Sequence, residues 1–287
     1  MTITLISVSD LAARLAAGQI DHGRLRVFDL RHDLMDHSVG RRAYGEGHIP
    51  GARFLDHETE LCASRTGKNG RHPLPTPEHL ASLMAAHGVT PDTLVVAYDA
   101  SGGQYAAHLW WMLRWIGHEN VAVLDGGWPA WSAAGLATRS GPAQSLAPLP
   151  KAKPRGSLAG SVDAVAVLAN IDKQDFVVVD ARAANRYRGE VEPMDPVAGH
   201  IPGALNRPNT QNLEADGRFK SPAQLRAEFE ALLGGRAPQE VVHQCGSGIT
   251  ASHNLLAMEI AGLAGSRLYP GSWSEWCADP ARPVAKG

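Results

Sequence analysis

Gly47-His48-Ile49-Pro50-Gly51-Ala52 returns 152 positions later as Gly199-His200-Ile201-Pro202-Gly203-Ala204. Upstream of each copy an apolar run reaches an Asp and then an Arg: Val27-Phe28-Asp29-Leu30-Arg31 in the first, Val178-Val179-Asp180-Ala181-Arg182 in the second, 151 apart at the Asp. Downstream, Leu124-Asp125-Gly126-Gly127-Trp128-Pro129-Ala130-Trp131 is answered by Tyr269-Pro270-Gly271-Ser272-Trp273-Ser274-Glu275-Trp276, with Trp128 and Trp273 separated by 145. Three ordered matches at a nearly constant offset mean that one structural unit occurs twice.

The stretch between the copies carries Pro142, Pro148, Pro150 and Pro154, which forbid a continuous helix or a central strand there. The expected organisation is therefore a first domain over 1–140, an extended Pro-rich linker over 141–156 and a second domain over 157–287. A chain of 287 residues is long enough for two such cores.

Within each copy, short β-branched runs alternate with apolar-periodic segments. Leu25 to Asp29, Leu94 to Tyr98 and Val121 to Leu124 read as buried parallel strands, and the second copy supplies Phe176 to Asp180 and Glu240 to Gln244. Ser7-Val8-Ser9-Asp10 caps a helix carrying Leu11 and Leu15 and stopped by Gly18; Ser161-Val162-Asp163 opens its counterpart with Val165 and Leu168. This alternation predicts an α/β fold in which each copy is a mostly parallel open sheet flanked by helices. Ligands in such sheets bind at the carboxyl ends of strands. Attention therefore falls on the segments after Tyr98 and Gln244.

Composition narrows the function. Hydrophobic residues make up 44%, charged residues 20%, and 27 Lys+Arg against 29 Asp+Glu leave a formal charge of −2. These values describe an ordinary globular chain. Pairs such as Arg41-Arg42 do not form a basic block, so no nucleic-acid partner is expected. No apolar run approaches the roughly 18 residues of a membrane span, and the N-terminus lacks the features of a secretory signal, so the expectation is a cytoplasmic protein. Cys62, Cys245 and Cys277 are too scattered for a disulfide framework or a Cys-x-x-Cys metal site and read as reduced thiols.

One cysteine has a distinctive setting. After Val241-Val242-His243-Gln244 come Cys245-Gly246-Ser247-Gly248-Ile249-Thr250 and a helix that ends at Gly262. A thiol between a strand end and a helix N-terminus, followed by two glycines, sits in a nest of backbone N–H groups that favours an anion. The thiolate is such an anion. The first copy has Asp99 at this place, so the position accepts a permanent negative charge. A cysteine phosphatase would need an Arg six residues after the Cys to grip phosphate. Here that residue is Ala251, and nothing between is charged.

Cys-Gly-Ser-Gly-Ile-Thr-Ala before a helix, Gly-His-Ile-Pro-Gly-Ala in both halves and Gly-Ser-Trp-Ser-Glu-Trp near the end resemble the tandem-domain rhodanese superfamily over nearly the whole chain. Within it the Cys loop is similar to that of the 3-mercaptopyruvate sulfurtransferases, usually Cys-Gly-Ser-Gly-Val-Thr; thiosulfate sulfurtransferases usually carry Arg and Lys where this chain has Gly246 and Ser247. The resemblance implies an enzyme without a cofactor. In it Cys245 takes a sulfur atom from a small anionic donor, 3-mercaptopyruvate or thiosulfate, as a persulfide. A thiol such as a small thiol or thioredoxin, or cyanide, then collects it.

It further implies catalytic roles for Ser247 and Thr250, whose hydroxyls also suit a loop turn and a helix cap, and a donor site that includes Gly246, Gly248 and Ile249. The substrate-binding Arg of the family matches Arg186, which has no Arg counterpart in the first copy; Arg182 repeats Arg31 and reads as a partner of its neighbouring Asp. The family's second Arg, in a Glu-Pro-Arg motif, is absent, because the chain reads Glu192-Pro193-Met194-Asp195. That leaves a carboxylate clamp missing or supplied from elsewhere, with Arg188 a candidate, and the donor open between mercaptopyruvate and thiosulfate. From the first copy, His72 matches the family's active-site His, and the accompanying acid is Glu58 or Glu60. A relay module passing the persulfide to a protein partner is the other class consistent with these motifs.

His48 and His200 recur in both copies, one without a nucleophile, and read as structural. The remaining histidines form no His-Glu-x-x-His pattern, so no metal is expected. Cys62 and Cys277 lack a cradle and read as inert. Trp110, Trp111 and Trp115, on the helix after Asp99, read as packing residues.

Overall fold

The computed structural model of the protein describes residues 3–146 and 149–287. The chain divides into two compact units. The first holds the chain up to Cys62, Pro75–Leu158 and Asp216–Arg218; the second holds Ala63–Leu74, Ala159–Ala215 and Phe219–Gly287. These units differ from continuous blocks over 1–140 and 157–287, because the loop Ala63–Leu74 packs with the second unit. Ala147 and Pro148 of the expected linker lie outside the described residues. The described remainder of 141–156 contains neither helix nor strand. It is held on the first unit: the Arg155 N–H donates to the Ile116 carbonyl at 2.9 Å and Arg53 donates to the Gln144 carbonyl at 2.8 Å.

In the first unit the strands are β1 (Leu5–Ile6), β2 (Leu25–Asp29), β3 (Arg53–Phe54), β4 (Leu94–Tyr98) and β5 (Val121–Leu124). They form one parallel sheet in the order β1-β5-β4-β2-β3. Helices α1 (Val8–Ala16), α2 (Ser38–Glu46), α3 (Pro77–Ala86), α4 (Gln104–Trp115) and α5 (Gly127–Ala133) alternate with them. The β-branched and aromatic residues of β2, β4 and β5 are buried nearly throughout, which is why they read as continuous apolar runs. Ser7 caps α1 by accepting from the Asp10 N–H at 3.0 Å.

The second unit repeats this order. Its elements are α6 (Ala164–Lys173), β6 (Val177–Asp180), α7 (Ala184–Tyr187), β7 (Leu205–Asn206), α8 (Pro222–Leu233), β8 (Val241–Gln244), α9 (Ile249–Ile260), β9 (Arg267–Leu268) and α10 (Ser272–Trp276). The sheet order β7-β6-β8-β9 is again parallel, and a parallel bridge from Ser161 to Leu268 stands where β1 pairs β5 in the first unit.

The expected apolar face of α6 is wrong. Within Ser161-Val162-Asp163 the N-cap is Asp163, accepting from the Ala166 N–H at 2.8 Å, while Ser161 bridges to Leu268 at the sheet edge. The inward face is therefore Ala164, Val167 and Asn170, and Val165 and Leu168 are 73% and 40% exposed. No helix among the described residues is long and apolar enough to cross a membrane.

The repeated motifs have repeated physical jobs. Asp29 accepts both Arg31 Nε and Nη2, and Arg31 also donates to the Gly47 carbonyl; Asp180, Arg182 and the Gly199 carbonyl reproduce this. Each guanidinium lies over a Trp ring, Arg31 at 4.4 Å from Trp128 and Arg182 at 4.6 Å from Trp273. His48 stacks on Tyr44 and bonds its carbonyl, as His200 does with Tyr187, so each histidine ties a helix end to an isolated antiparallel bridge, His48 with Arg139 and His200 with Ala285. Trp110 and Trp111 are buried on α4, and Trp111 stacks on Trp115.

Candidate active site

Strand β8 delivers Cys245 to the start of α9, and the loop between them forms a cradle. The Ser247 and Gly248 N–H groups donate to the Cys245 Sγ at 3.4 and 3.1 Å. Gly248 is the N-cap of α9 with φ at 92°, and a Cβ there would stand 2.8 Å from the Pro270 carbonyl oxygen, so only glycine fits. The thiol is 2% exposed, in surroundings where directed N–H groups act strongly on charge.

The loop is pinned from behind. The Cys245 N–H donates to Ser272 Oγ at 3.1 Å, while the Trp273 and Ser274 N–H groups donate to the Cys245 and Gly246 carbonyls at 2.9 Å each. Ser272 does this from the left-handed region at φ 54°, a conformation L side chains rarely adopt. The first unit has Gly127 at the same place and the same φ, and there the Trp128 N–H donates to the Asp99 carbonyl at 2.8 Å.

The first unit also shows what the cradle does to a permanent anion. The Asp99 carboxylate accepts four backbone N–H groups, from Ser101, Gly103, Tyr105 and Ala106, at 2.7 to 3.0 Å. Complete burial pushes its carboxyl above the usual range, and the four donors oppose that push. A strand-to-helix loop of backbone N–H groups thus surrounds a carboxylate in one unit and, one residue shorter and with two donors in place of four, a thiol in the other.

Around Cys245 the second unit assembles several of the residues expected from sequence. Ser247 is buried, and its Oγ lies 2.7 Å from His72 Nδ1. His72 belongs to the Ala63–Leu74 loop, which is anchored where the Arg71 N–H donates to Ser274 Oγ at 2.9 Å. Ile249 is buried and Thr250 half-buried in the first turn of α9.

Arg186, in the last turn of α7, donates through Nε and Nη2 to Glu192 at 3.2 and 2.6 Å and through Nη2 to Asp195 at 3.2 Å. Its Nη1 stands 3.7 Å from where a Gly246 Cβ would lie. Burial would raise the Glu192 carboxyl, but the Arg186 hydrogen bond and the Met194 N–H hold it below its ordinary range. Buried Arg182 reaches Glu192 as well, at 3.3 Å. Desolvation pulls that guanidinium down, yet Asp180, Glu192 and the neighbouring Cys245 carry it above its usual value.

One expectation fails to assemble. Arg188 is exposed and its guanidinium is taken by Glu190 at 2.6 Å, so it does not supply the missing clamp. Met194 contributes only its backbone N–H, to Glu192 at 3.0 Å. The clamp-like group that sequence reasoning missed is Arg71: its Nη1 donates to Asp195 Oδ1 at 2.7 Å, and its Nη2 lies 3.0 Å from the Gly246 Cβ position. Its one signal in sequence is adjacency to His72.

Glu58 and Glu60 belong to the first unit. Glu60 accepts from the Asp56 N–H and stands 3.8 Å from His87, and Glu58 stands 3.7 and 3.9 Å from the Nε2 atoms of His32 and His37. His32, His37 and Glu58 are a set of potential metal ligands that no sequence spacing encodes. Cys62 is half-buried with its Sγ 3.8 Å from His57 Nδ1. Burial pushes the Cys277 thiol up, and Asp195 adds to the effect, so this thiol is disfavoured as a nucleophile.

Comparison with known proteins places the chain in a family. Residues 7–134 and 163–279 each match the family model of the Rhodanese-like domain. A probable 3-mercaptopyruvate sulfurtransferase of Pseudomonas aeruginosa is 50% identical over 286 residues, covering 99% of this chain and 98% of that protein. A thiosulfate sulfurtransferase of Bos taurus is 36% identical over 290 residues, covering 99% and 95%. The structure of 3-mercaptopyruvate sulfurtransferase from Leishmania major superposes with a TM-score of 0.81 at 30% identity, covering 96% of this chain and 74% of that one.

Proposed function

The chain belongs to the rhodanese family, with two copies of its domain, and from that premise we propose that it is a sulfurtransferase that moves sulfur from 3-mercaptopyruvate to a thiol or cyanide. The carrying observation is the Cys245 cradle, whose Ser247 and Gly248 N–H groups converge on Sγ at 3.4 and 3.1 Å. A thiolate and a persulfide are both anions, so one set of donors serves both halves of a ping-pong cycle.

In the first half the Cys245 thiolate attacks the donor sulfur. An S–S bond forms, the donor C–S bond breaks, and its electron pair leaves with the carbon as the enolate of pyruvate, which then takes a proton. Ser247, oriented by His72, and Thr250 are the hydroxyls available to the enolate oxygen. In the second half an acceptor thiolate attacks the outer sulfur, the S–S bond to Cys245 breaks, and the cysteine thiolate returns.

Arg186 is the donor-binding cation of this reading, with Gly246, Gly248 and Ile249 shaping the loop. The neutral loop favours mercaptopyruvate over thiosulfate, since Gly246 and Ser247 carry no charge against a compact dianion. The unit that holds Asp99 has no nucleophile at that place. Acceptors of this class are small thiols or thioredoxin, and the free thiols Cys62, Cys245 and Cys277 suit a reducing cytoplasm. Steady-state turnover of 3-mercaptopyruvate with a small thiol tests the proposal. Release of pyruvate at a catalytic rate supports it; a single turnover that only a protein acceptor relieves would replace it by a relay module.

A further inference from the structure

We propose that His32, His37 and Glu58 form a binding site for a divalent first-row transition ion, Zn2+ foremost, at the carboxyl ends of β2 and β3. All three residues belong to the first unit. Glu58 Oε1 stands 3.7 Å from His32 Nε2 and 3.9 Å from His37 Nε2, and the three atoms all lie within 4.8 Å of one another. The two Glu58 separations are too long for hydrogen bonds. Bonds of about 2.0–2.2 Å to a tetrahedral centre set the ligand atoms roughly 3.4 Å apart, so both separations need close by only a few tenths of an ångström.

The fold brings the three together from separate stretches of chain. His32 follows β2, His37 caps α2 and Glu58 follows β3; the two strands are neighbours in a parallel sheet, and the carboxyl ends of such strands are where these sheets bind ligands. Each stretch is held. Arg31, beside His32, is locked on Asp29; Asp33 accepts the Met35 and Asp36 N–H groups at 2.7 and 3.0 Å in the turn toward His37; the Glu58 N–H donates to Asp56 Oδ1 at 3.1 Å. The His32 ring also packs edge-on against Tyr105, with centroids 5.1 Å apart. Side-chain exposure rises from 3% at His32 through 12% at Glu58 to 47% at His37. The set is thus enclosed on one side and open on the other, where an ion enters and water completes its coordination.

Duplication separates these residues from the structural landmarks. His48 and His200 recur because each copy needs them. An offset of 151 carries His32 and His37 onto Ala183 and Arg188, and an offset of 152 carries Glu58 onto Thr210, so the second unit has no ligand at any of the three places.

The donor set selects the ion. Two imidazoles and one carboxylate suit Zn2+ or a neighbouring transition ion, whereas Mg2+ and Ca2+ take oxygen ligands. Asp33 and Asp36, exposed between the two histidines, add negative charge that favours a cation. The guanidiniums of α2 are engaged by acids, Arg41 with Asp56 at 3.5 Å and Arg42 with Asp36 at 3.0 Å.

The test is equilibrium dialysis of the full chain against Zn2+, with Co2+ as a spectroscopic probe of the ligands. Glu58 is one of the two acids that the family resemblance offers to the donor site, so the variants are His37→Ala and His32→Ala, with exposed His79→Ala as the control. Thermal unfolding midpoints identify any variant that fails to fold, and His37, the most exposed ligand, remains informative if His32→Ala does fail. The wild type and His79→Ala should bind one ion per chain. Each ligand variant should bind at least about tenfold more weakly, since even partners outside the first coordination shell are worth that much. Bound Co2+ should show ligand-field bands without a sulfur-to-cobalt charge-transfer band. No stoichiometric ion in the wild type, equal affinity in a folded His37→Ala, or a charge-transfer band placing the ion on a cysteine would each overturn the inference.

Discussion

His72 Nδ1 and Ser247 Oγ lie 2.7 Å apart, both side chains buried, and the same Ser247 turns its backbone N–H toward the Cys245 Sγ. One residue thus touches the thiol through its backbone and His72 through its hydroxyl. His72→Ala leaves a buried hydroxyl without this partner, at a cost of about 1–3 kcal/mol. Donor kcat/KM should fall by roughly five- to more than a hundredfold, and His72→Asn, which can place an amide near Nδ1, should recover part of it. Stopped-flow pyruvate release in the three proteins checks this.

In the proposed function Arg186→Ala removes a charge-assisted contact to the donor, and it strips Glu192 and Asp195 of a shared partner. The expected loss in donor kcat/KM is about 1.5–3 kcal/mol, roughly ten- to more than a hundredfold. Arg186→Lys keeps the charge without the fork and should fall between. Donor kinetics equal to wild type would remove Arg186 from the site.

Donor choice follows from the neutral loop. kcat/KM for 3-mercaptopyruvate should exceed that for thiosulfate by at least about tenfold, a difference of about 1.4 kcal/mol. Gly246→Arg with Ser247→Lys should narrow or reverse the ratio. The new side chain at 246 must displace Arg71 Nη2 from its present 3.0 Å approach, so loss of mercaptopyruvate use should accompany any gain with thiosulfate. Parallel kinetics with the two donors in both proteins measure the shift.

Much of the fold is legible because duplication repeats its landmarks, and because β2, β4, β5, β6 and β8 are long enough to show β-branched runs. β1, β3, β7 and β9 have two residues each and carry no period to read. The cysteine cradle is legible for a similar reason: strand end, glycines and helix start are contiguous. The Arg71–Asp195 pair is not, since its members are 124 residues apart and meet only through the packing of the Ala63–Leu74 loop. Ser272 is hidden differently. Its part in holding Cys245 depends on a left-handed backbone that a serine does not advertise, although Gly127 at the matching place in the first copy hints at it.

His243, on β8 two residues before Cys245, is fully buried, and burial pulls its pKa down to about 3. Below about pH 6.5 the unfolded chain binds a proton at this site that the folded chain refuses. Its contribution is therefore fully present above about pH 6.5 and is lost as pH falls toward 3, at up to about 1.4 kcal/mol per pH unit. In His243→Leu this slope should disappear. Denaturant midpoints of both proteins between pH 7 and about 4 give the comparison.

The most direct test of the account is to locate the transferred sulfur. After treatment with 3-mercaptopyruvate and removal of excess donor, intact mass and peptide mapping should show one added sulfur atom on Cys245 and none on Cys62 or Cys277. The persulfide should disappear on adding a thiol, and Cys245→Ser should fold yet never acquire the mass. An added sulfur on another cysteine, or substantial turnover by Cys245→Ser, would contradict it.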